Sequence, residues 1–102
     1  MKTAFSSIFE QDFAEIVARF AGEVSLELSV RFENRVLEAF ETISRQPEIG
    51  RRRKHLPQPD VRSFRVKGFD SHLIFYQLRA EDVFFVRLIH GAMDLPAMFP
   101  EA

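Results

Sequence analysis

His72-Leu73-Ile74-Phe75-Tyr76-Gln77-Leu78-Arg79, then Ala80-Glu81, then Asp82-Val83-Phe84-Phe85-Val86-Arg87-Leu88-Ile89-His90 is the stretch that decides the fold. Its first half is apolar at both parities, with Ile74, Tyr76 and Leu78 set against Leu73 and Phe75, as expected of a strand buried on two faces. The second half repeats the pattern, Phe84, Val86 and Leu88 alternating with Val83, Phe85 and Ile89. Only Ala80-Glu81 separates the halves, which is a hairpin-length link. These are two antiparallel neighbours in the middle of a sheet. A third strand, Val61 to Val66, precedes them across the short link from Gly68 to Ser71, with Phe64 and Val66 on one face.

Upstream the period changes from two to about 3.6. Phe13, Ile16, Val17 and Phe20 mark one face of a helix over residues 8–21. Ser7-Ile8-Phe9-Glu10 has the form of a capping box at its start, and Gly22 reads as its stop. Phe32, Val36, Phe40 and Ile43 form the stripe of a second helix, from about Ser25 to Gln46, with Leu28 and Leu37 beside it. Pro47 ends this helix, because its ring and missing N–H do not suit a helix interior. Thr3-Ala4-Phe5-Ser6 reads as a short first strand. The expected architecture is α+β: an N-terminal helical hairpin packed on a mainly antiparallel four-stranded sheet, in the order β-α-α-β-β-β, as one domain over residues 1–102.

Composition narrows the chemistry. The 102 residues are 46% hydrophobic and include 12 Phe, enough apolar material for a core and too much for a disordered chain. Cysteine is absent, which removes disulfides, thiolate metal sites and cysteine nucleophiles. No run approaches the roughly 18 apolar residues of a membrane span, and no basic segment leads into an apolar one, so the expected setting is the cytoplasm. The net charge of −1 conceals an asymmetry. Residues 1–50 carry 5 basic and 9 acidic side chains, residues 51–79 carry 8 and 2, and residues 80–102 carry 1 and 4. A basic island of this kind attracts phosphate or an acidic partner.

The island centres on Arg51-Arg52-Arg53-Lys54-His55, in the loop between Pro47 and Asp60. Two readings stand: a contact surface for anions, or a solvated loop. Arg62, Arg65 and Lys67 add charge nearby, and strand parity sends Arg62 and Arg65 to opposite faces. His90, at the end of the last strand, is either a proton-transfer group or a local hydrogen-bonding residue. His55, His72 and His90 lack metal-ligand spacing, so no metal is expected. Asp94 can anchor the following chain through backbone hydrogen bonds or pair with a strand arginine. No phosphate-binding glycine loop, nucleophile elbow or catalytic carboxylate pair is present, and no cofactor is expected.

Beyond this physics, a resemblance spans nearly the whole chain. Ser6, Asp12, Phe13 and Ile16, then Phe32 and Ala39, then Pro47-Glu48-Ile49-Gly50-Arg51 resemble the successive pieces of the RelE/ParE toxin superfamily. So do Arg62-Ser63, Leu73-Ile74-Phe75-Tyr76 and the ending Arg87-Leu88-Ile89-His90-Gly91-Ala92-Met93-Asp94-Leu95. The resemblance implies the toxin half of a bacterial type II toxin–antitoxin pair. Its partner would be a small antitoxin, often a ribbon-helix-helix protein, and contact with DNA would run only through that antitoxin.

Two activities occur in the superfamily. The long helical hairpin, the placing of Tyr76 within a central strand and the His-Gly-Ala-x-Asp ending resemble the ParE-like branch, which poisons DNA gyrase without being an enzyme. On that reading Arg65, Arg87, His90, Met93 and Asp94 would face the target. Phe13, Val17, Phe20, Arg51, Arg52 and Arg53 would face the antitoxin. The alternative is a ribosome-dependent mRNA endonuclease of the RelE type, with Arg52, Lys54, Arg62, Arg65 and His90 as its candidate catalytic set. A third reading is a degenerate member that binds its antitoxin without toxicity. Many relatives carry Arg where this chain has Met93, so weaker target binding is expected unless Arg87 substitutes for it.

Overall fold

The structure is a computed structural model and describes residues 1–91. Its elements are β1 (Lys2–Phe5), α1 (Ser7–Glu23), α2 (Leu26–Arg45), β2 (Arg51–Arg52), β3 (Val61–Val66), β4 (Phe69–Leu78) and β5 (Asp82–His90). The strands form one sheet in the order β1-β5-β4-β3-β2. β1 runs parallel to β5 and the other pairs are antiparallel. The sheet therefore has five strands rather than the expected four. Arg51 and Arg52 pair with Ser63 and Arg62, so the basic loop contributes the strand that closes one edge.

Both helices cover one face. Phe32, Val36, Ala39 and Ile43 of α2 are fully or nearly fully buried at i, i+4, i+7 and i+11, and they meet Val66, Ile74, Tyr76, Val83, Phe85 and Leu88 from the sheet. Leu37, expected beside this stripe, points outward instead and is 50% exposed. α1 lies more shallowly. Only Phe9 is buried, while Phe13, Ile16, Val17 and Phe20 pack against the core at its margin. Phenylalanine is the main filler. Phe5 stacks on Phe85 at 5.0 Å, Phe40 tilts onto Phe85 at 4.7 Å, and Phe32 meets Phe69 edge-on at 5.0 Å.

Three local expectations are corrected. The cap of α1 is Ser6, not Ser7: its backbone N–H still bonds Phe85 O as part of the sheet, and its hydroxyl accepts from Phe9 N–H at 2.9 Å. The strand end is itself the helix cap, which is why a serine one position earlier takes the role. Gly22 is not the stop, because α1 continues to Glu23 and closes on Val24. Strict alternation also fails along β5. The ladder steps from Phe75↔Arg87 to Tyr76↔Phe85, so Val86 is bulged out of it. Leu88 consequently joins Val83 and Phe85 under the helices, while Val86 and Ile89 pack with Leu56, Val61, Leu73 and Phe75 on the other face. That second, smaller cluster is covered from the loop side by Leu56.

Candidate functional site

Tyr76 explains how the basic loop is held. It is fully buried, donates its hydroxyl to Pro47 O at 2.7 Å and accepts from Gly50 N–H at 2.9 Å. Gly50 lies so close that an added Cβ would sit 2.5 Å from that hydroxyl oxygen, so no side chain fits there. Arg62 completes the clamp by donating to Glu48 O and Gly50 O at 3.1 and 3.2 Å. Burial raises the Tyr76 pKa above the ordinary phenol value, which keeps its proton in place for Pro47.

Pairing then sorts the cations between faces. Arg52 and Arg62 are register partners, lie on the side of Tyr76, and sit 3.7 and 3.5 Å from Asp60. Arg51 pairs with Ser63, which pairs with Phe75 of the smaller cluster, and Arg65 pairs with Leu73 of the same cluster. Arg51, Arg53 and Arg65 thus share the face away from the helices. Arg53 Nε donates to Ser63 Oγ at 2.8 Å, and its guanidinium carbon lies 5.8 Å from the centre of the Phe75 ring. Burial first, and then the charges of Arg51 and Arg65, hold the Arg53 pKa below its ordinary value. Arg53, Arg65, Asp70, Leu73, His90 and Gly91 border a cavity of about 380 Å³ on this face. Arg62 and Arg65 face opposite ways, as strand parity requires. Lys54 and His55 stand exposed in the loop.

Arg87 occupies a different environment. Its Nε and Nη2 grip Asp12 of α1 at 2.8 and 3.0 Å, with the two side chains 16% and 13% exposed. Asp12 also accepts from Leu88 N–H at 3.0 Å, and Ser6 donates to Val86 O at 2.8 Å. α1 and its cap Ser6 therefore supply hydrogen bonds to the part of β5 that lies beyond the end of β1. His90 and His72 face each other across β4 and β5, 5.4 Å between rings. His72 is packed against Phe20 and Phe32, and burial, then His90 and Arg19, push its pKa below the usual imidazole value. Among the described residues, no three His, Asp or Glu side chains are arranged to hold a metal ion. Met93 and Asp94 lie outside the described residues.

The helical hairpin carries a second concavity, about 630 Å³, on its outer surface. Phe13 and Val17 line it together with Ala14, Ala18, Ala21 and Leu26, whereas Phe20 turns inward to Phe32 and Phe69. Leu26 is 70% exposed, and Val30 and Leu37 continue the outward apolar line along α2. The three alanines and Leu26 were not among the residues singled out from sequence. Their spacing was the available signal: alanines at i, i+4 and i+7 make a smooth strip beside which another element can sit.

This arrangement of a helical hairpin, a five-stranded sheet and a basic outer face has a close counterpart among solved structures. The chain superposes with a TM-score of 0.73 on a chain of the structure titled "Chromosomal ParDE TA system from P. aeruginosa", covering 88% of this chain and 95% of that one at 12% identity, which establishes a shared fold. Its sequence is 38% identical over 64 residues to Toxin ParE3 of Caulobacter vibrioides, a match spanning 63% of this chain and 60% of that protein. The profile of the ParE toxin of the type II toxin–antitoxin system parDE matches residues 4–95, and the chain belongs to that family. Within the RelE/ParE superfamily this places it on the ParE-like branch. None of the described helices is long and apolar enough to cross a membrane.

Proposed function

We propose that this chain is a cytoplasmic, non-enzymatic toxin that inhibits DNA gyrase and is held inactive by a ParD-like antitoxin of the ribbon-helix-helix kind. The observation that carries the non-enzymatic reading is the dispersal of the candidate nucleolytic set. Arg52 and Arg62 are engaged with Asp60 and loop carbonyls on one side, Lys54 lies out in the loop, Arg65 borders the opposite face, and His90 stands at the end of β5 against His72. Five residues spread in this way do not converge on one phosphate, as general acid–base cleavage demands. The groove lined by Phe13, Val17 and the alanine strip supports the antitoxin reading, since its apolar lining suits an amphipathic helix. The names of the two relatives, a ParE toxin and a ParDE system, agree with this partner.

Induced expression in a bacterium tests the proposal. Growth should stop with induction of the DNA-damage response, and co-expression of a ribbon-helix-helix protein from the neighbouring reading frame should restore it. Ribosome-dependent transcript cleavage without DNA damage would instead select the endonuclease. Binding to the antitoxin with undisturbed growth would select a degenerate member.

A further inference from the structure

We infer that His72 and His90 form a binding site for one divalent transition-metal ion, zinc by its geometry, between the open end of the β4–β5 hairpin and α1. Spacing along the chain hides this pair, and the ladder makes it. His72 of β4 and His90 of β5 are register partners on antiparallel strands. Residues directly opposite in such a ladder project from the same side of the sheet. Their rings stand 5.4 Å apart at 83° to one another. Two imidazoles on one tetrahedral zinc, each with its nitrogen about 2.0–2.1 Å from the ion, have ring centres about 5 Å apart. The right-angled bite of a square-planar or octahedral ion would draw them to about 4.5 Å. The backbone therefore presets the separation that a tetrahedral ion requires.

The surroundings suit a ligand. His72 is wedged against Phe20 and Phe32 at 5.7 and 5.1 Å, which fixes its ring. Its Nδ1 is buried and, among the described residues, has no hydrogen-bond partner. An orphaned buried nitrogen carries a desolvation cost that coordination relieves. Beside the pair lies a cavity of about 240 Å³, bordered also by Asp12, Glu15, Arg19 and Arg87. That space holds an ion together with bound waters of about 30 Å³ each. Asp12 is taken up by Arg87 and Leu88 N–H, so Glu15 is the carboxylate left to complete the ion's shell. It accepts an exposed bond from Gln11 at 3.2 Å. Arg19 is exposed on α1, so its side chain can turn away from an incoming cation, and Asp12 cancels the charge of Arg87. An oxyanion fits less well, because both carboxylates border the cavity. The ion would tie the ends of β4 and β5 to each other whichever target the toxin meets.

Titration of the metal-free protein with zinc chloride, followed by calorimetry and by the ¹⁵N resonances of the histidine rings, tests the inference. One ion per chain should bind, and the melting temperature should rise with zinc concentration. The ring nitrogens of His72 and His90 should shift, while those of His55, exposed in the loop, should not. His90→Gln, at an exposed position, should abolish binding and leave the metal-free melting temperature unchanged. His72→Gln should abolish it too, with an amide spectrum as dispersed as that of the wild type showing that the loss is not one of folding. Glu15→Gln should weaken binding about tenfold. Magnesium, a hard ion that prefers oxygen ligands, should not compete. Failure of zinc to bind at millimolar concentration, half an ion per chain, or binding that survives His90→Gln overturns the inference.

Discussion

The two faces of the one sheet are built on opposite terms. Under the helices, Phe9, Phe32, Tyr76, Phe85 and their neighbours exclude water, and the arginines that reach that side are matched with Asp60 or loop carbonyls. On the other face a thin apolar cluster is rimmed by Arg51, Arg53 and Arg65, which among the described residues have no carboxylate within 4.0 Å. The helix-covered face is organised for stability, and the outer face gathers like charges. A strand residue's parity, more than its type, decides which of the two roles an arginine takes.

Substitutions on the covered face should therefore cost most. Phe85→Ala, which removes a ring that contacts Phe5, Phe9, Phe40 and Tyr76, is expected to destabilise the fold by about 3–5 kcal/mol in denaturant titration. Asp12→Ala leaves Arg87 and Leu88 N–H without their acceptor at a mostly buried position, and about 3 kcal/mol is expected, the lower end for breaking a buried pair. Tyr76→Phe strips two partners from the loop, Pro47 O and Gly50 N–H, for about 1–3 kcal/mol. Faster hydrogen exchange confined to residues 47–53 would distinguish this from a general core defect.

pH supplies a gentler probe of the same boundary. The His72 pKa is lowered in the fold, so the unfolded chain takes up the proton more readily and stability falls as pH drops below about 6.5. The melting temperature should decline between pH 7.5 and pH 5.5, and His72→Gln should flatten that part of the decline. The smallest effect belongs to the open face. Arg65→Gln should change stability by no more than about 0.5 kcal/mol, and in the stabilising direction at low salt, because it relieves repulsion. A clear loss of stability would mean that the open-face cations are structural after all, and the contrast between the faces would fail.

Much of this was readable from the chain. The apolar parity of residues 72–90 gave the central hairpin, and the stripe through Phe32, Val36 and Ile43 gave α2, because burial on a regular element leaves a periodic trace. Features set by contacts between distant residues left no such trace. The bulge at Val86, the strand pairing of Arg51–Arg52 and the hold of Tyr76 on Gly50 depend on residues 9 to 26 positions apart meeting in space. Parity correctly separated Arg62 from Arg65. Sequence grouped Arg51, Arg52 and Arg53 as one patch, however, and only the register reveals that Arg52 belongs with Arg62. The resemblance turns Arg87 toward the target, yet its guanidinium is joined to Asp12, 75 residues earlier.

We propose that this member of the ParE toxin family acts on gyrase and not on RNA. The most direct measurement is supercoiling of relaxed plasmid by purified gyrase in the presence of the purified protein. Loss of supercoiling with accumulation of cleaved DNA, reversed by adding the antitoxin, is the predicted result. Unimpaired supercoiling, together with cutting of messenger RNA on translating ribosomes, would contradict it.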